Sequence, residues 1–352
     1  MNYAGLLSSD VKLIDLRSPG EFEKGAFPNS INLPLLDDEQ RRLVGLEYKQ
    51  NGQHLAIERG HQLIHPELKA SRIEQWLSAV RQHPGCIFYC WRGGLRSNIV
   101  QQWLSDTGHP VSIIEGGYKA LRNQCLDCFE KLPVQQKFLI LAGRTGSGKT
   151  ILLNSCSNSV DLEGFANHRG SAFGRKSSEQ PTTINFEHQL ARRLMQLQAA
   201  PLLVLEDESR IIGRLAIPHT LFNTMLEADV VVLESPLEDR SERIYQEYVV
   251  AELSQQDITA EHLQARYLAA VQRIKRRLGN LRCTDISENL RDAFALRPGD
   301  SAHARGHKVW IEKLLKGYYD PMYDYQLSRK QSRVIKSGSC NTIREYLLQR
   351  GG

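Results

Sequence analysis

The sequence contains no long hydrophobic run. None of its apolar stretches approaches the ~20 residues that a membrane-spanning helix requires. Its first residues lack the basic-then-apolar pattern of an export signal, and neither an internal repeat nor a low-complexity segment is present. These absences exclude membrane-spanning, fibrous and repeat proteins. We therefore expect a cytoplasmic protein with no membrane partner.

Extremes of composition and charge are also absent. Hydrophobic residues make up 41% and charged residues 24% of the 352 residues, as in globular proteins, and this length favours two domains. The seven cysteines are odd in number, so we expect free thiols rather than a disulfide framework. The net charge of +5 arises after residue 133, mainly in residues 273–282 and after 329. Such an excess is compatible with a polyanion partner, although a solvated helix face is the commoner explanation.

Short apolar runs alternate with helical patterns in two successive blocks, which is typical of α/β domains with parallel sheets. The first predicted domain, 1–133, shares its architecture but not its sequence with the second. It ends in a helix and then a linker broken at Pro133. The second, 134–352, ends in a basic helical region, and residues 285–310 show a weaker period. The expected strands are 11–16, 86–90, 111–115, 137–143, 201–207 and 228–234, and the clearest expected helices are 71–82, 97–108, 121–136, 186–198 and 259–278.

Cys90 follows the second predicted strand at its carboxyl end, where open α/β sheets bind ligands. The glycine-containing loop after it can turn its N–H groups inward, like the nests that hold anions. The next helix begins near Ser97 and adds partial positive charge. With two arginines beside it, Cys90 is expected as a thiolate nucleophile in an anion-binding loop. The predicted loop residues are Trp91, Arg92, Gly93, Gly94, Leu95 and Arg96.

A buried structural thiol is the alternative for Cys90, but the glycines, arginines and strand–loop–helix order favour a functional role. Cys86 lies inside the strand and is expected in the core. Cys125 and Cys128 form a C-x-x-C pair with neither a second pair nor histidines nearby, so we expect no zinc site.

The first block resembles a rhodanese domain. The matching segments are residues 14–34 (IDLRSPGEFEKGAFPNSINLP), the Cys90 loop and residues 115–122 (EGGYKALR), in that order. The resemblance implies that Cys90 carries a persulfide or a related chalcogen adduct. The spacing Cys90-x5-Arg96 departs from the usual Cys-x4-Arg and is found in cysteine-dependent phosphatases. The wider loop suits a tetrahedral oxyanion such as phosphate or selenophosphate, so phosphatase chemistry remains an alternative.

Residues 143–150 (GRTGSGKT) match the phosphate-binding pattern G-x-x-x-x-G-K-[ST] between an apolar strand and a helix. The glycines let backbone N–H groups approach a diphosphate, Lys149 supplies a positive charge, and the Thr150 hydroxyl is a predicted Mg²⁺ ligand. We expect no tightly bound organic cofactor. The predicted diphosphate-binding residues are Gly143, Arg144, Thr145, Gly146, Ser147, Gly148, Lys149 and Thr150.

Two further segments of the second block are candidates for the substrate or metal side of this loop. The strand at 201–207 ends in three acidic residues, one of which is a candidate to hold a water on Mg²⁺, although an acidic turn explains them equally well. Residues 161–175 (DLEGFANHRGSAFGR) lie where P-loop proteins carry substrate-side residues, with a surface loop as the alternative. The candidates are Asp161, Glu163, His168, Arg169, Arg175, Glu206, Asp207 and Glu208.

Both blocks together, with the segments DLEGFANHRGSAFG, LEDESRIIG and YYDPMYDYQ, resemble the bacterial tRNA 2-selenouridine synthase family over essentially the whole chain. The resemblance implies a transferase that exchanges sulfur for selenium at C2 of a wobble 2-thiouridine in tRNA. It implies selenophosphate as the selenium donor and an S-geranyl intermediate made from geranyl diphosphate. Cys90 is then expected to receive or position selenium, and the P-loop to hold geranyl diphosphate.

The resemblance also implies contacts with the tRNA anticodon region. The basic second block is expected to follow tRNA phosphates. Aromatic side chains near its end either stack on unpaired bases or belong to the core: Tyr318, Tyr319, Tyr323 and Tyr325. Two other functions remain open from sequence, a P-loop kinase with an accessory rhodanese domain and a sulfur-carrier adaptor with a nucleotide switch.

Overall fold

The computed structural model describes residues 1–298 and 300–351, and the chain divides into two compact units. Unit 1 comprises Met1–Leu132 and Pro181–Gln198, and unit 2 comprises Pro133–Gln180 and Ala199–Gly352. Each unit is an α/β structure with a parallel sheet, which confirms the predicted fold class. In the described part of the chain, every helix is too short or too polar to cross a bilayer.

The helices and strands are numbered in chain order. The strands are β1 (Leu13–Asp15), β2 (Ser30–Asn32), β3 (Ile87–Tyr89), β4 (Ser112–Ile113), β5 (Phe138–Ala142), β6 (Ser159–Val160), β7 (Leu203–Glu206), β8 (Ile211–Ile212), β9 (Leu215–Ala216), β10 (Asp229–Leu233) and β11 (Val334–Gly338). The helices are α1 (Tyr3–Ser8), α2 (Pro19–Lys24), α3 (Asp38–Leu63), α4 (Pro66–Gln82), α5 (Leu95–Asp106), α6 (Gly117–Gln135), α7 (Lys149–Asn154), α8 (Leu162–Ala166), α9 (Thr183–Gln196), α10 (His219–Glu227), α11 (Leu237–Tyr245), α12 (Ala251–Leu253), α13 (Ala260–Leu278), α14 (Asn280–Ala295), α15 (Ser301–Leu314), α16 (Asp320–Ser328) and α17 (Cys340–Gln349). Two π-helical turns, Gln246–Val250 and Leu315–Tyr319, continue α11 and α15.

Unit 1 is built on four parallel strands in the order β2-β1-β3-β4. The predicted strands at 11–16, 86–90 and 111–115 are confirmed as β1, β3 and β4. Ile14, Phe88 and Trp76 are fully buried in the core beneath this sheet. Because the strands are parallel, their carboxyl ends meet at one edge, and the Leu16 N–H donates to the carbonyl of Tyr89 at 2.8 Å. The turn after β1 therefore lies beside the start of the Cys90 loop.

Helix α9 packs in unit 1 although its residues follow the P-loop in sequence. Its Asn185 side chain accepts a hydrogen bond from the Ala26 N–H at 2.7 Å, and its buried His188 Nδ1 lies 2.8 Å from the Ala26 carbonyl. The ring of His188 also stacks on Phe27, with ring centroids 4.1 Å apart. We placed this helix in the second block from sequence, and its contacts assign it to the first unit.

Unit 2 is built on five parallel strands in the order β11-β10-β5-β7-β6. All five residues of β5 are buried, and β10 and β7 flank it. The predicted strands at 137–143, 201–207 and 228–234 are confirmed as β5, β7 and β10. The edge strand β11 was not predicted, because its residues are mostly exposed and polar and so lack the apolar run of a buried strand.

The helical part of unit 2 extends further than the sequence indicated. Residues 285–310, where the period is weak, form most of α14 and α15, which pack on each other and on α13. Their buried positions are occupied partly by Cys283, Ala293, His303 and His307, which weaken the hydrophobic signal of a helix. The helical core also contains Trp310.

The structure corrects one further local prediction, the end of α6, and confirms another, the absence of a disulfide framework. Helix α6 continues through Pro133 to Gln135 rather than ending before it, although a proline inside a helix removes one hydrogen bond and crowds the preceding turn. The seven cysteines are all free, as expected. Burial raises the pKa of Cys125 and of Cys128 to about 12, so both thiols are protonated at neutral pH.

Candidate active sites

Cys90 lies directly after β3, and only 3% of its surface is exposed. Its carbonyl accepts a hydrogen bond from the Tyr118 N–H at 2.8 Å, and the carbonyl of Trp91 accepts one from the Lys119 N–H at 3.0 Å. The first turn of α6 therefore holds the beginning of the Cys90 loop. The loop ends at Gly94, and the predicted loop residues Leu95 and Arg96 instead begin α5, two residues before the predicted helix start at Ser97.

Two glycines with positive φ pack against each other where α6 meets this loop. Gly93 has φ +63° and Gly117 has φ +55°. A Cβ on Gly117 would lie 2.3 Å from the carbonyl oxygen of Cys90 and 2.4 Å from the nitrogen of Gly93. A Cβ on Gly93 would lie 2.2 Å from the carbonyl oxygen of Ile114. Neither position has room for a side chain, so glycine is required at both for a steric reason. The motif around Cys90 contains Gly93 but did not reveal that Gly117 packs against it.

Gly117→Ala is expected to lower the stability of unit 1 by roughly 2–4 kcal/mol, because it adds both a clash and a left-handed alanine. Thermal and denaturant unfolding measure this loss. The matched control is Gly45→Ala in α3, where the nearest atom to a new Cβ is 3.9 Å away and alanine favours the helix by up to ~1 kcal/mol. Equal stability of the two variants would contradict the close packing at Gly117.

The two arginines that follow Cys90, one in the loop and one in the first turn of α5, have different environments. Arg96 forms an ion pair with Glu21, with Nη1 2.8 Å from Oε2, and both side chains are largely buried. Burial raises the pKa of Glu21, but the hydrogen bond and charge of Arg96 outweigh it and hold this pKa below its usual range. Arg92 is solvent-exposed, and no ion pair of the described residues includes it. Arg92 is therefore the more available of the two charges for an anion, whereas Arg96 is fixed by its carboxylate.

A buried arginine supports the aromatic residues around the loop. Arg17 pairs with Asp15 at 2.6 Å, and both side chains are almost completely buried. The guanidinium carbon lies 3.9 Å from the ring centroid of Tyr118, on whose ring Trp91 stacks at 5.1 Å. Trp91 remains 40% exposed. The Asp-x-Arg turn after β1 thus positions an exposed aromatic ring next to Cys90.

The P-loop connects β5 to α7, as the pattern predicts. Gly148 has φ +92° immediately before Lys149 begins the helix. A Cβ on Gly143 would lie 2.6 Å from Ser147 Oγ and 2.8 Å from the carbonyl oxygen of Leu233. The Lys149 ammonium donates to the Gly143 carbonyl at 2.8 Å and so spans the concave side of the loop. Thr150 follows in the first turn of α7 and is half-buried.

Arginines of α11 hold the outside of the P-loop. Arg240 is buried, donates to the Thr145 carbonyl at 3.3 Å and forms a bidentate ion pair with Asp320, both contacts at 2.7 Å. Arg243 donates to the Gly146 carbonyl at 3.0 Å. These arginines act on the loop through its carbonyls, and no sequence motif identified them. Arg144 pairs with an exposed carboxylate, that of Asp324, at 2.8 Å.

Three glutamates form a compact group in the same unit. The carboxylate oxygens of Glu163, Glu206 and Glu208 lie within 4.8 Å of one another. Glu206 is fully buried, and its Oε1 accepts a hydrogen bond from the Glu163 N–H at 2.8 Å. Its Oε2 is buried without a hydrogen-bond partner among the described residues. Gly170, with φ +58°, lies against the group, since a Cβ there would be 2.5 Å from Glu163 Oε1.

The carboxylates of this glutamate group raise one another's pKa. Burial and the charge of Glu208 raise the pKa of Glu163 to about 8, and burial and the charge of Glu206 raise the pKa of Glu208 to about 7. The pKa of Glu206 also lies well above its usual range, mainly because of burial. The charge of Lys149 opposes each shift, which shows that the P-loop lysine lies near the group. A cluster of carboxylate oxygens is the type of donor set that a hard metal ion prefers.

Without divalent cations, the glutamate group is expected to destabilise the protein as the pH rises. The folded state retains protons that the unfolded carboxyls lose near their usual pKa of 4.5, so the favourable contribution is complete below that pH and is lost through about pH 8 for Glu163. As the pH rises from about 5 to about 9, the melting temperature of Glu163→Gln is therefore expected to rise by at least about 3 °C relative to that of the wild type. Thermal unfolding in a chelator tests this, with exposed Glu227→Gln as the control. A pH-independent difference would contradict the shared protons.

The remaining predicted residues occupy different environments. Asp161 caps α8 by accepting from the Gly164 N–H at 2.7 Å, and Asp207 pairs with Lys330 rather than joining the glutamate group. Arg169 pairs with the buried Glu252 at 3.0 Å. His168 and Arg175 form an isolated antiparallel bridge, and burial lowers the pKa of His168. Of these acidic candidates, the structure brings Glu163, Glu206 and Glu208 together and places Asp161 and Asp207 in other contacts.

Two family models match the chain. The rhodanese-like domain matches residues 3–124, and the tRNA 2-selenouridine synthase AAA domain matches residues 136–351. The chain belongs to the tRNA 2-selenouridine synthase family. It is 43% identical to the tRNA 2-selenouridine synthase of Sulfurovum sp. (strain NBC37-1), over 99% of this chain and 97% of that protein. The synthases of Marinobacter nauticus (43% identity, 99% and 97% covered) and Shewanella piezotolerans (44%, 98% and 96%) are similarly close.

Family membership identifies the protein as a tRNA-modifying transferase, so its exposed aromatic and basic side chains are candidates for contacts with tRNA. The predicted aromatic residues separate into two groups: Tyr319 is buried in the helical core, and Tyr318 packs against that core, whereas Tyr325 is 66% exposed. Tyr323 is half-buried. Tyr325 alone of these four presents a largely free ring to a ligand. The basic side chains of the 273–282 segment are all exposed, as both a polyanion contact and a solvated face require: Arg273, Lys275, Arg276, Arg277 and Arg282.

Proposed function

We propose that the protein makes 2-selenouridine in tRNA in two steps. Geranyl diphosphate first alkylates the sulfur of a wobble 2-thiouridine, and selenium from selenophosphate then replaces the alkylated sulfur. The proposal is carried by the presence in one chain of two distinct anion-binding arrangements. One is the P-loop with Lys149 near three carboxylates, and the other is the glycine-braced loop of Cys90. A P-loop kinase would use only the first of these in its reaction, and a sulfur carrier would use only the second, so each would leave the other arrangement in an accessory or switching role.

The P-loop is suited to the alkylation step. The C2 sulfur attacks C1 of the geranyl group, the C1–O bond breaks, and diphosphate leaves with the bonding electrons. Lys149 and the N–H groups at the start of α7 stabilise the charge that develops on the leaving oxygen. Alkylation converts a poor leaving group, a thiocarbonyl sulfur, into a thioether that departs as a thiol.

The glutamate group fits Mg²⁺ as a partner of the diphosphate. The three carboxylates are oxygen donors of the type that Mg²⁺ prefers, and that of Glu206 has a buried oxygen without a hydrogen-bond partner among the described residues. The Thr150 hydroxyl is a further candidate ligand. When bound, the ion supplies positive charge that offsets the charge of the diphosphate. Lys149 orients the diphosphate, and the three glutamates hold or release protons according to pH. Mg²⁺ is expected to stabilise the wild type against unfolding more than Glu206→Gln.

The Cys90 loop is suited to the selenium step. The selenium of selenophosphate attacks C2, the C2–S bond breaks, and geranyl thiol leaves after gaining a proton. Water then cleaves the P–Se bond and releases phosphate. The selenium of selenophosphate and the sulfur of a thiol are both fully reduced, so a Cys–S–Se bond would require an oxidant. We therefore assign Cys90 to binding and activating selenophosphate, with Arg92 as the exposed cation, rather than to carrying a perselenide.

Nucleoside mass spectrometry tests this function. Transfer RNA containing 2-thiouridine is incubated with the protein and geranyl diphosphate, selenophosphate or both. We expect S-geranyl-2-thiouridine with the diphosphate alone and 2-selenouridine when both donors are present. Unchanged nucleosides together with nucleotide consumption would instead support a kinase or a nucleotide switch.

A further inference from the structure

Trp91 is the most exposed tryptophan of the protein, and its ring is nevertheless held in one orientation. Trp76 is fully buried and Trp103 is half-buried, whereas Trp91 remains 40% exposed. Its indole stacks on the Tyr118 ring, with centroids 5.1 Å apart and planes inclined by 21°. Its carbonyl accepts the hydrogen bond from the Lys119 N–H at 3.0 Å. Both the backbone and the ring of Trp91 are therefore fixed by the first turn of α6.

The neighbours of the indole cover only one of its faces. The guanidinium carbon of Arg17 lies 5.8 Å from the ring centroid of Trp91 and 3.9 Å from that of Tyr118. Together with the 5.1 Å between the two rings, these separations form a triangle that places Arg17 and Tyr118 on the same side of the indole. The exposed area of Trp91 therefore belongs to its opposite face and its edge.

A buried ion pair supports this stack. Arg17 contacts Asp15 and also donates to the Gly25 carbonyl at 2.7 Å, so its guanidinium is fixed beneath the Tyr118 ring. Stability alone does not explain such a pair, since a well-packed apolar pair of similar size is often at least as stable. Its arrangement keeps an aromatic ring rigid at the surface, which is the preorganisation that a binding site for a flat ligand requires.

Two exposed cations lie next to the ring. Arg92 follows Trp91 in sequence, and Lys119 is the residue whose N–H holds the Trp91 carbonyl. The ion pairs among the described residues include neither of them. An aromatic ring beside cations is the arrangement by which proteins bind unpaired nucleotides, since the base stacks on the ring and the phosphates contact the cations. A free anion would leave the ring unused, and a hydrocarbon chain would leave the cations unused.

We propose that the open face of Trp91 stacks on the pyrimidine ring of the wobble nucleotide and holds its C2 atom beside the Cys90 loop. The inference rests on the proposed selenation step and adds the residue that positions the base. A nucleophile attacks C2 perpendicular to the plane of the base, so stacking on one face leaves the other face open to selenium. Trp91 then binds the tRNA, whereas Cys90 and Arg92 serve the selenium donor and Lys119 is left for the RNA backbone.

Tryptophan fluorescence tests the contact, because a base that stacks on an indole quenches its emission. The full-length protein is titrated with tRNA that carries S-geranyl-2-thiouridine, 2-thiouridine or an abasic site at the wobble position. The first two are expected to quench the emission beyond the abasic tRNA, which corrects for light absorbed by the RNA. Trp91→Phe should lose this difference, and the matched control Trp103→Phe should keep it. Equal quenching by all three RNAs, or quenching that requires the geranyl chain, would overturn the inference.

The rate of selenation measures the consequence of the contact. With S-geranyl tRNA, Trp91→Leu is expected to lower kcat/KM for the tRNA roughly 10–100-fold, because leucine is apolar but offers no flat ring. Trp91→Phe should remain within about threefold of the wild type. The KM for selenophosphate should change less than about twofold in both variants, whereas damage to the Cys90 loop would raise it.

The outcomes separate this inference from the proposed function. If the wild type selenates S-geranyl tRNA but the leucine and phenylalanine variants react alike, Trp91 does not position the base. If Trp91→Leu raises the KM for selenophosphate as much as it lowers kcat/KM for the tRNA, Trp91 only maintains the Cys90 loop. If the wild type forms no 2-selenouridine, the proposed function fails, and the comparison with abasic tRNA still decides whether Trp91 contacts the base.

Discussion

Cys90→Ala is expected to abolish selenation and to leave geranylation intact. With geranyl diphosphate and selenophosphate both present, the variant should accumulate S-geranyl-2-thiouridine and form 2-selenouridine at least about 10³-fold more slowly than the wild type, as for loss of a central catalytic group. The cause is the loss of the thiol from a loop whose backbone is fixed by α6 and whose remaining available charge is that of Arg92. Quantitative nucleoside mass spectrometry over time measures both products.

Two controls separate this effect from damage to unit 1. Cys86→Ala removes another buried thiol four positions earlier, whose pKa is raised by burial, and should retain selenation. Presenting S-geranyl tRNA directly to Cys90→Ala removes the first step and should still give no 2-selenouridine. Selenation by Cys90→Ala at the wild-type rate would contradict any role of the thiol. A selenium adduct on wild-type Cys90, formed from selenophosphate without an oxidant, would contradict the assignment of Cys90 to donor activation.

The sheets, the P-loop and the Cys90 loop were predictable because their signals are local. Five residues of β5 are all apolar and all buried, and the GRTGSGKT loop follows them directly. The Cys90 loop likewise shows its strand, glycines and arginines within a few residues. Short edge strands such as β11 and helices with small or polar buried residues such as α15 carry weaker patterns, so tertiary packing rather than sequence period determines them.

The partners of the motif residues were not predictable, because the fold brings them from distant positions. Glu21 fixes Arg96 across 75 residues, and Gly117 braces the Cys90 loop from the next helix. Glu163 meets Glu206 across 43 residues, which explains why three adjacent acidic residues gave no choice among them. Burial and pairing with Lys330 then distinguish them.

Lys149→Ala is expected to remove geranylation while selenation of S-geranyl tRNA continues. Lys149 is the cation that spans the concave side of the P-loop, and it opposes the charge of three glutamates that lie near it. Removing it leaves the leaving diphosphate without that charge and raises the pKa of the glutamates further. We expect kcat/KM for alkylation to fall roughly 10²–10³-fold, the usual effect of losing one electrostatic stabiliser.

The exposed Lys137 immediately before β5 provides the matched control for this variant, since Lys137→Ala removes an equal charge at the opposite end of the same strand. It should alkylate at the wild-type rate. Lys149→Arg is expected to rescue little, because a planar guanidinium does not fit the space of an ammonium that donates to the Gly143 carbonyl at 2.8 Å. Normal geranylation by Lys149→Ala would place the diphosphate outside the P-loop.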